Sequence, residues 1–597
     1  MHIIIFIGDK MLVKNQDYTI DISSVTQEGM GIGRVDGFVV FTYGALPGEK
    51  ITARIIKTTK SYAIGKLLEI IVRSPERLQK PACGAYPKCG GCCFCHWEYQ
   101  SQISFKNQYV RDCVERIGKI DTSCTQFTPT AFMENPTGYR NKYTYVFGKK
   151  ESDEIFCGFY AANSHRVVEL TDCIIETSDA KAIRQAVSDF ANEKNLSVYD
   201  EKTSKGLLRN LMIRFAAADV CVIVIINGKK IPFADELIQR IRTACPIVSS
   251  VYININNKNT NVVLGEQFQL IYGKKCIEAV VGDCRFIVSP QSFFQINPSQ
   301  TKVLYDKVYN LVDIKNGEML YDLFCGTGTI GIYVKKRFIA DNPGGDFSLI
   351  GVEYVPEAVL NAEENARINQ LEDCRFFAGD ATDITPQIIS REGRLPDAVI
   401  VDPPRSGLDE KLLDTVIATN AKRIVYVSCN PSTMARDVKY LTAAGYRVNV
   451  VETVDMFPHT GHVESVVLLS SDKNTIHNMK LNPKPFEMIK RGIKTIELRL
   501  LDEKRRKIKP GDVIIFTNTE DGRTIRTTVL KLHVFDTFQQ LYDTLPLLKC
   551  GYTSKDVASA SASDMMEYYS EEEQRKYGVV GIEITNDLQI ILQSSGV

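Results

Sequence analysis

Asp322-Leu-Phe-Cys-Gly-Thr-Gly-Thr-Ile-Gly331 sets a glycine-rich turn between an apolar run, Met319 to Phe324, and a helical pattern, Thr329 to Arg337. Such a turn lets backbone approach a ligand at a helix N-terminus. Downstream the alternation repeats through Ser348 to Val352, Pro356 to Asn369, Cys374 to Phe377, Asp397 to Val401 and Arg423 to Val427. Strand and helix in this order imply a doubly wound parallel α/β domain, expected over residues 289–471. Gly326, Gly328 and Gly331 also spell GxGxxG, and Glu353 closes the second strand where an acid would hold ribose hydroxyls. A dinucleotide enzyme would carry the same features, so the turn alone does not choose the ligand.

Outward from this domain, a chain of 597 residues implies several others, about three to five at ordinary domain sizes. Hydrophobic residues at 44% and charged residues at 24% fit a globular protein and exclude disorder as the dominant state. Lys plus Arg equals Asp plus Glu, 72 against 72, so nucleic-acid contact would have to come from local basic patches. The early apolar run Ile3 to Ile7 is far short of a membrane span and lacks a signal peptide's basic start. A cytoplasmic monomer with no membrane partner is expected. Residues 13–73 alternate short β-rich runs with glycine and proline turns and read as a small β-barrel carrying Arg34, Arg54, Lys57, Lys60 and Lys66. Residues 74–288 read as an α+β domain with a cysteine cluster, and residues 475–597 as a mostly β domain with a turn at Pro510-Gly511.

Three further motifs choose the ligand. Val399-Ile-Val-Asp-Pro-Pro-Arg405 ends a strand in an acid and a rigid double-proline turn at the sheet's carboxyl edge. Tyr426-Val-Ser-Cys-Asn-Pro431 ends the next strand, and Phe457-Pro-His-Thr-Gly-His-Val-Glu464 precedes another apolar run. With these in order, residues 13–471 resemble the RNA uracil-5-methyltransferase family, and the N-terminal barrel resembles a TRAM domain. The resemblance implies S-adenosylmethionine as methyl donor, contacted by Gln295 of Ser289-Pro-Gln-Ser-Phe-Phe-Gln-Ile-Asn297 and by Phe324, Gly326, Thr329, Glu353, Asp380 and Asp402. It also implies RNA as partner, with 23S ribosomal RNA favoured and transfer RNA the runner-up. A noncatalytic RNA-binding or assembly factor on a vestigial methyltransferase fold is the alternative of another class.

Carbon 5 of uracil is too weak a nucleophile to attack a sulfonium methyl until a nucleophile adds at carbon 6. Cys429, at a strand end between Ser428 and Asn430-Pro431, is the candidate. At an ordinary pKa of about 8.5 little of it would be thiolate, so local hydrogen bonds or charge are expected to favour the anion. A base must then remove the carbon 5 proton. Glu464, beside apolar Val463 and Val466, is expected to be desolvated and raised in pKa, with His459 and His462 as alternatives.

Cys83, Cys89 and Cys92 are spaced so that glycines at 84, 90 and 91 let the chain wrap around a centre. By the family resemblance the fourth ligand falls on Cys173, giving a four-iron four-sulfur cluster. Cys93 and Cys95 compete locally, and a four-thiolate zinc site is the alternative. The C-terminal segment, with Gly492-Ile-Lys-Thr-Ile-Glu-Leu-Arg499, resembles an ASCH domain, a PUA-like β-barrel. Between Lys480 and Lys509 eleven basic residues face four acids, a local +7 suited to phosphates, and Lys494, Thr495 and Glu497 are its polar residues of interest.

Overall fold

The computed structural model describes residues 12–471, 476–510 and 512–586. Ile3 to Ile7, the stretch just after Ser471 and Gly511 lie outside them. The chain divides into two compact units, Met1–Ser471 and Asp472–Val597.

The first unit opens with strands Asp17–Val25, Met30–Val35, Phe38–Tyr43, Lys50–Thr58 and Tyr62–Val72, closed into a barrel. Alternation makes the closure possible: Ile51, Ala53 and Ile55 point inward, while Lys50, Arg54 and Lys57 stay outside. The central region forms one sheet in the spatial order Gln267–Gly273, Val248–Ile255, Asp219–Ile226, Leu208–Ala216, Lys142–Lys149, Ile155–Tyr160, Val167–Glu169. Helices Ser178–Glu193 and Ala234–Ala244 set Ile183, Val187, Leu237 and Ile241 in a common core with Val222 and Val224.

The nucleotide-fold sheet orders Cys374–Ala378, Ser348–Glu353, Met319–Leu323, Ala398–Val401 and Arg423–Ser428 in parallel. The next strand departs from an all-parallel sheet. Glu464–Ser471 runs antiparallel, between Arg423–Ser428 and Tyr446–Val454. An antiparallel strand starts where parallel strands end, so Glu464 is delivered to the carboxyl edge; Ser428 pairs with Ser465, bringing Cys429 opposite Glu464. A short strand, Gln126–Phe127, adds to the edge beside Tyr446–Val454. Helix Tyr99–Asp112 and the turn after it pack Val110 and Val114 against Met434 and Val438, so residues from the cysteine region also build this core.

The second unit is a five-stranded sheet ordered Ile476–Leu481, Val513–Asn518, Thr524–Phe535, Val579–Asn586, Ile496–Leu500. Helix Pro483–Lys490 packs Phe486 and Ile489 on Ile514 and Phe516. Among the described residues no helix is long and apolar enough to cross a membrane.

Candidate active site

A cavity of about 490 Å³ opens at the carboxyl edge of the parallel strands, lined by Gln295, Phe324, Gly326, Thr329, Glu353 and Asp402. Gly328 caps the following helix with a φ of 77°, a left-handed conformation that glycine adopts without strain. Glu353 is fixed by two backbone donors, Gly326 N–H at 3.0 Å and Val355 N–H at 2.9 Å. Tyr305 donates its hydroxyl to Thr329 Oγ1 at 2.9 Å. Asp380 stands apart from the other six. It lines an adjoining cavity of about 400 Å³ that shares Phe324, and it caps the Ala381–Glu392 helix by accepting from Thr382 N–H at 2.8 Å. Its carboxyl is held low by that bond.

Three carboxyls gather at this cavity, Asp322 and Asp402 in its lining and the buried Glu464 near Asp402. Asp322 and Asp402 are each pushed up to about 7 and Glu464 to about 8, in every case chiefly by burial. Asp322 accepts from Gly331 N–H at 3.0 Å, which ties the glycine turn to the strand beneath it. Sequence reasoning misses Asp322, although an acid inside an apolar strand before a glycine turn is an available signal.

The Cys429 thiol is pushed up to about 11, first by burial and then by the negative charge of Glu464 and Asp402. This corrects the expectation that its surroundings favour the anion, because two carboxylates and low polarity outweigh the single opposing cation. That cation is Arg405, whose positive charge favours the thiolate and whose backbone carbonyl accepts from Asn430 Nδ2 at 2.9 Å. In the sequence Arg405 is only the last letter of the double-proline motif. His462 is held below its ordinary pKa by burial. His459 is also buried, and its Nε2 hydrogen-bonds the Pro136 carbonyl at 3.1 Å.

Cys83, Cys89, Cys92 and Cys173 line one small apolar cavity with Cys95, Phe159 and Leu170. Cys83 Sγ lies 3.6 Å from the Asp172 carbonyl, and its interaction with Cys95 holds the Cys83 thiol below its ordinary value. Gly91 N–H points at Cys89 Sγ, 3.4 Å away. Cys93 faces elsewhere, toward the Gln27 carbonyl. The donors here are all thiols in an apolar wall, and among the described residues no group of three His, Cys, Asp or Glu side chains is placed to hold a metal ion.

In the second unit Glu497 is buried between Lys494 and Arg499, each 2.9 Å away. These line a cavity of about 420 Å³ with Asn482, Tyr552 and Tyr568. Arg505 also pairs with Asp502; these pairs use two of the four acids already counted against the eleven bases, so the local +7 stands.

Residues 281–472 match the tRNA (Uracil-5-)-methyltransferase family, residues 13–68 the TRAM domain and residues 479–587 the ASCH domain. An uncharacterized RNA methyltransferase of Clostridium acetobutylicum is 40% identical over 458 residues, 76% of this chain and 97% of the relative. One from Caldanaerobacter subterraneus subsp. tengcongensis is 41% identical over 456 residues, covering 76% and 98%. Among solved structures, the Pyrococcus abyssi tRNA (uracil-54, C5)-methyltransferase in complex with S-adenosyl-L-homocysteine superposes with a TM-score of 0.60 at 26% identity, over 76% of this chain and all of that one. With both curated relatives covered almost end to end at this identity, the chain belongs to the S-adenosylmethionine-dependent RNA (uracil-5-)methyltransferase family.

Proposed function

We propose that the enzyme methylates carbon 5 of a uridine in 23S ribosomal RNA through a covalent cysteine adduct. The meeting of Cys429 and Glu464 across paired strands, beside the cavity lined by Glu353 and Asp402, carries this reading. Glu353, braced by backbone donors, is suited to the donor's ribose hydroxyls, with Gln295, Phe324, Gly326, Thr329 and Asp402 around the rest. Asp380, one cavity over, would meet the adenine end.

The Cys429 sulfur adds to carbon 6, and Arg405 stabilises the thiolate that attacks. Carbon 5, now electron-rich, takes the methyl group from the sulfonium and leaves S-adenosylhomocysteine. Glu464 removes the carbon 5 proton, the carbon–sulfur bond breaks and the thiolate returns. A carboxyl raised to about 8 is matched to this task, because the best base has a pKa near the working pH. Entry of the uridine requires its extrusion from stacked RNA, costing a few kcal/mol and least in a loop.

The family resemblance of the barrel and the cysteine site favours 23S ribosomal RNA. Transfer RNA is the second reading, supported by the substrate named for the Pyrococcus abyssi neighbour. Nucleoside mass spectrometry of both RNAs from a deletion strain separates them: 5-methyluridine should fall in 23S RNA alone. A fall in transfer RNA moves the substrate, and a fall in neither overturns the reading.

For the cysteine site we propose that Cys83, Cys89, Cys92 and Cys173 hold a four-iron four-sulfur cluster, which methyl transfer does not require for electrons. Protein purified without oxygen should be brown with iron and sulfide, and Cys89→Ser should lose the colour. A colourless protein with one stoichiometric zinc would reverse the assignment. The second unit's cavity and its basic rim we assign to RNA contact.

A further inference from the structure

The turn that ends in Glu464 spans residues 455–463, between strands Tyr446–Val454 and Glu464–Ser471. Connections of this length usually lie loosely on the surface. Here the turn is held from three sides. Lys106, fully buried on helix Tyr99–Asp112, contacts Asp455 Oδ1 at 2.5 Å and donates to the Phe457 carbonyl at 3.0 Å. From the cysteine loop, Cys93 N–H and Phe94 N–H both donate to the His459 carbonyl, at 3.1 and 3.0 Å. From the barrel, the Gln27 carbonyl approaches so closely that a methyl group on Gly461 would sit 2.0 Å from its oxygen.

His459 lies at the centre of these contacts with a φ of 65°, in the left-handed region that only a few per cent of residues other than glycine occupy. Its N–H donates to Gln102 Oε1 at 3.1 Å, and Gln102 Nε2 donates in turn to the Phe94 and Trp97 carbonyls at 3.1 and 2.9 Å. Both backbone groups of the strained residue are thus bound, and the segment that binds its carbonyl lies between Cys92 and Cys95. Strain persists only where surroundings over-determine it, and it collects at functional sites.

We propose that the cysteine loop acts on the proton-abstraction step: Cys93, Phe94 and Gln102 hold His459 in its left-handed conformation, and this aims the turn that delivers Glu464. Gln102 and Gly461 are then positioning residues for deprotonation, and the inference rests on Glu464 being the base. The thiol centre affects methylation through the geometry of the closing step, with methyl transfer itself left to the Cys429 side of the crevice.

The test uses the full chain, RNA substrate and methyl-labelled S-adenosylmethionine in single turnover. Gln102→Met removes three hydrogen bonds at similar length, and Gly461→Ala forces the turn off the barrel. In each, methyl transfer should proceed near the wild-type rate while product release slows, by about a hundredfold for a displacement near 1 Å. A labelled protein–RNA adduct should then accumulate and survive denaturing electrophoresis. Equal slowing of both steps, or no adduct, would overturn the proposal. Glu464→Gln run in parallel separates the two readings: its release at the wild-type rate rejects the base and the clamp together, whereas its stalling while both other variants release normally rejects the clamp alone. Hydrogen exchange supplies a readout independent of turnover. Cys89→Ser, distant in sequence from the turn, should speed exchange at residues 93–95 and 459–463 together while the Arg423–Ser428 strand stays protected. Unchanged protection at residues 459–463 would contradict the coupling.

Discussion

Cys429→Ala is expected to lose RNA methylation by at least about a thousandfold while S-adenosylmethionine still binds, because the nucleophile that activates carbon 5 is gone and the donor cavity is untouched. No covalent RNA complex should form. The state of the thiol makes a second part of the same expectation. Burial and two neighbouring carboxylates hold Cys429 at about 11, so about one thousandth of it is thiolate at pH 8. Since the pKa is raised, reactivity must climb as pH rises toward that value. Alkylation of Cys429 by iodoacetamide should increase about tenfold per pH unit between roughly pH 7 and 10. Arg405→Met should slow it further by removing the cation that favours the anion. A plateau of the alkylation rate below about pH 9 would show an ordinary thiol, and methylation by Cys429→Ala would reject the covalent route.

The nucleotide fold was legible because a glycine turn between an apolar strand and a helix, followed by repeated strand–helix alternation, has few other solutions. The direction of Glu464–Ser471 was not legible. An apolar run reads the same whichever way it enters a sheet, and only the register with Arg423–Ser428 brings Glu464 to Cys429. Cys429 and Glu464 became candidates through the ordered motifs Ser-Cys-Asn-Pro and Phe457 to Glu464 together with the family resemblance those motifs carry. Asp380 does both things an acid at a strand end can do: it lines the cavity next to the donor site and caps the following helix. Arg405 escapes a sequence reading because its significance lies in its charge beside Cys429, a residue of another strand end; Asp322, which braces Gly331 within its own motif, is open to such a reading, though sequence reasoning misses it. The ties from Gln27, Cys93 and Gln102 to the turn at His459 and Gly461 join residues hundreds of positions apart, and no local pattern announces them. The Lys106–Asp455 pair belongs to the same class; buried, it would cost about 3–5 kcal/mol to break from one side.

Glu464→Gln should leave methyl transfer intact and block the elimination step. The amide cannot take the carbon 5 proton, so the thiol is not expelled and turnover falls by about two to four orders of magnitude, the usual contribution of a general base. The enzyme then remains attached to methylated RNA. At a pKa near 8 the wild-type carboxyl gains its basic form as pH rises, so the wild-type release rate should rise from pH 6 to 8 while that of Glu464→Gln stays flat. The most direct measurement is mass spectrometry of the trapped complex after nuclease and protease digestion. The account predicts one cross-linked peptide, carrying Cys429 bonded to a methylated uridine, and none when Cys429→Ala is combined with Glu464→Gln. A methylated uridine recovered entirely free of protein, or bonded to a residue other than Cys429, would contradict it.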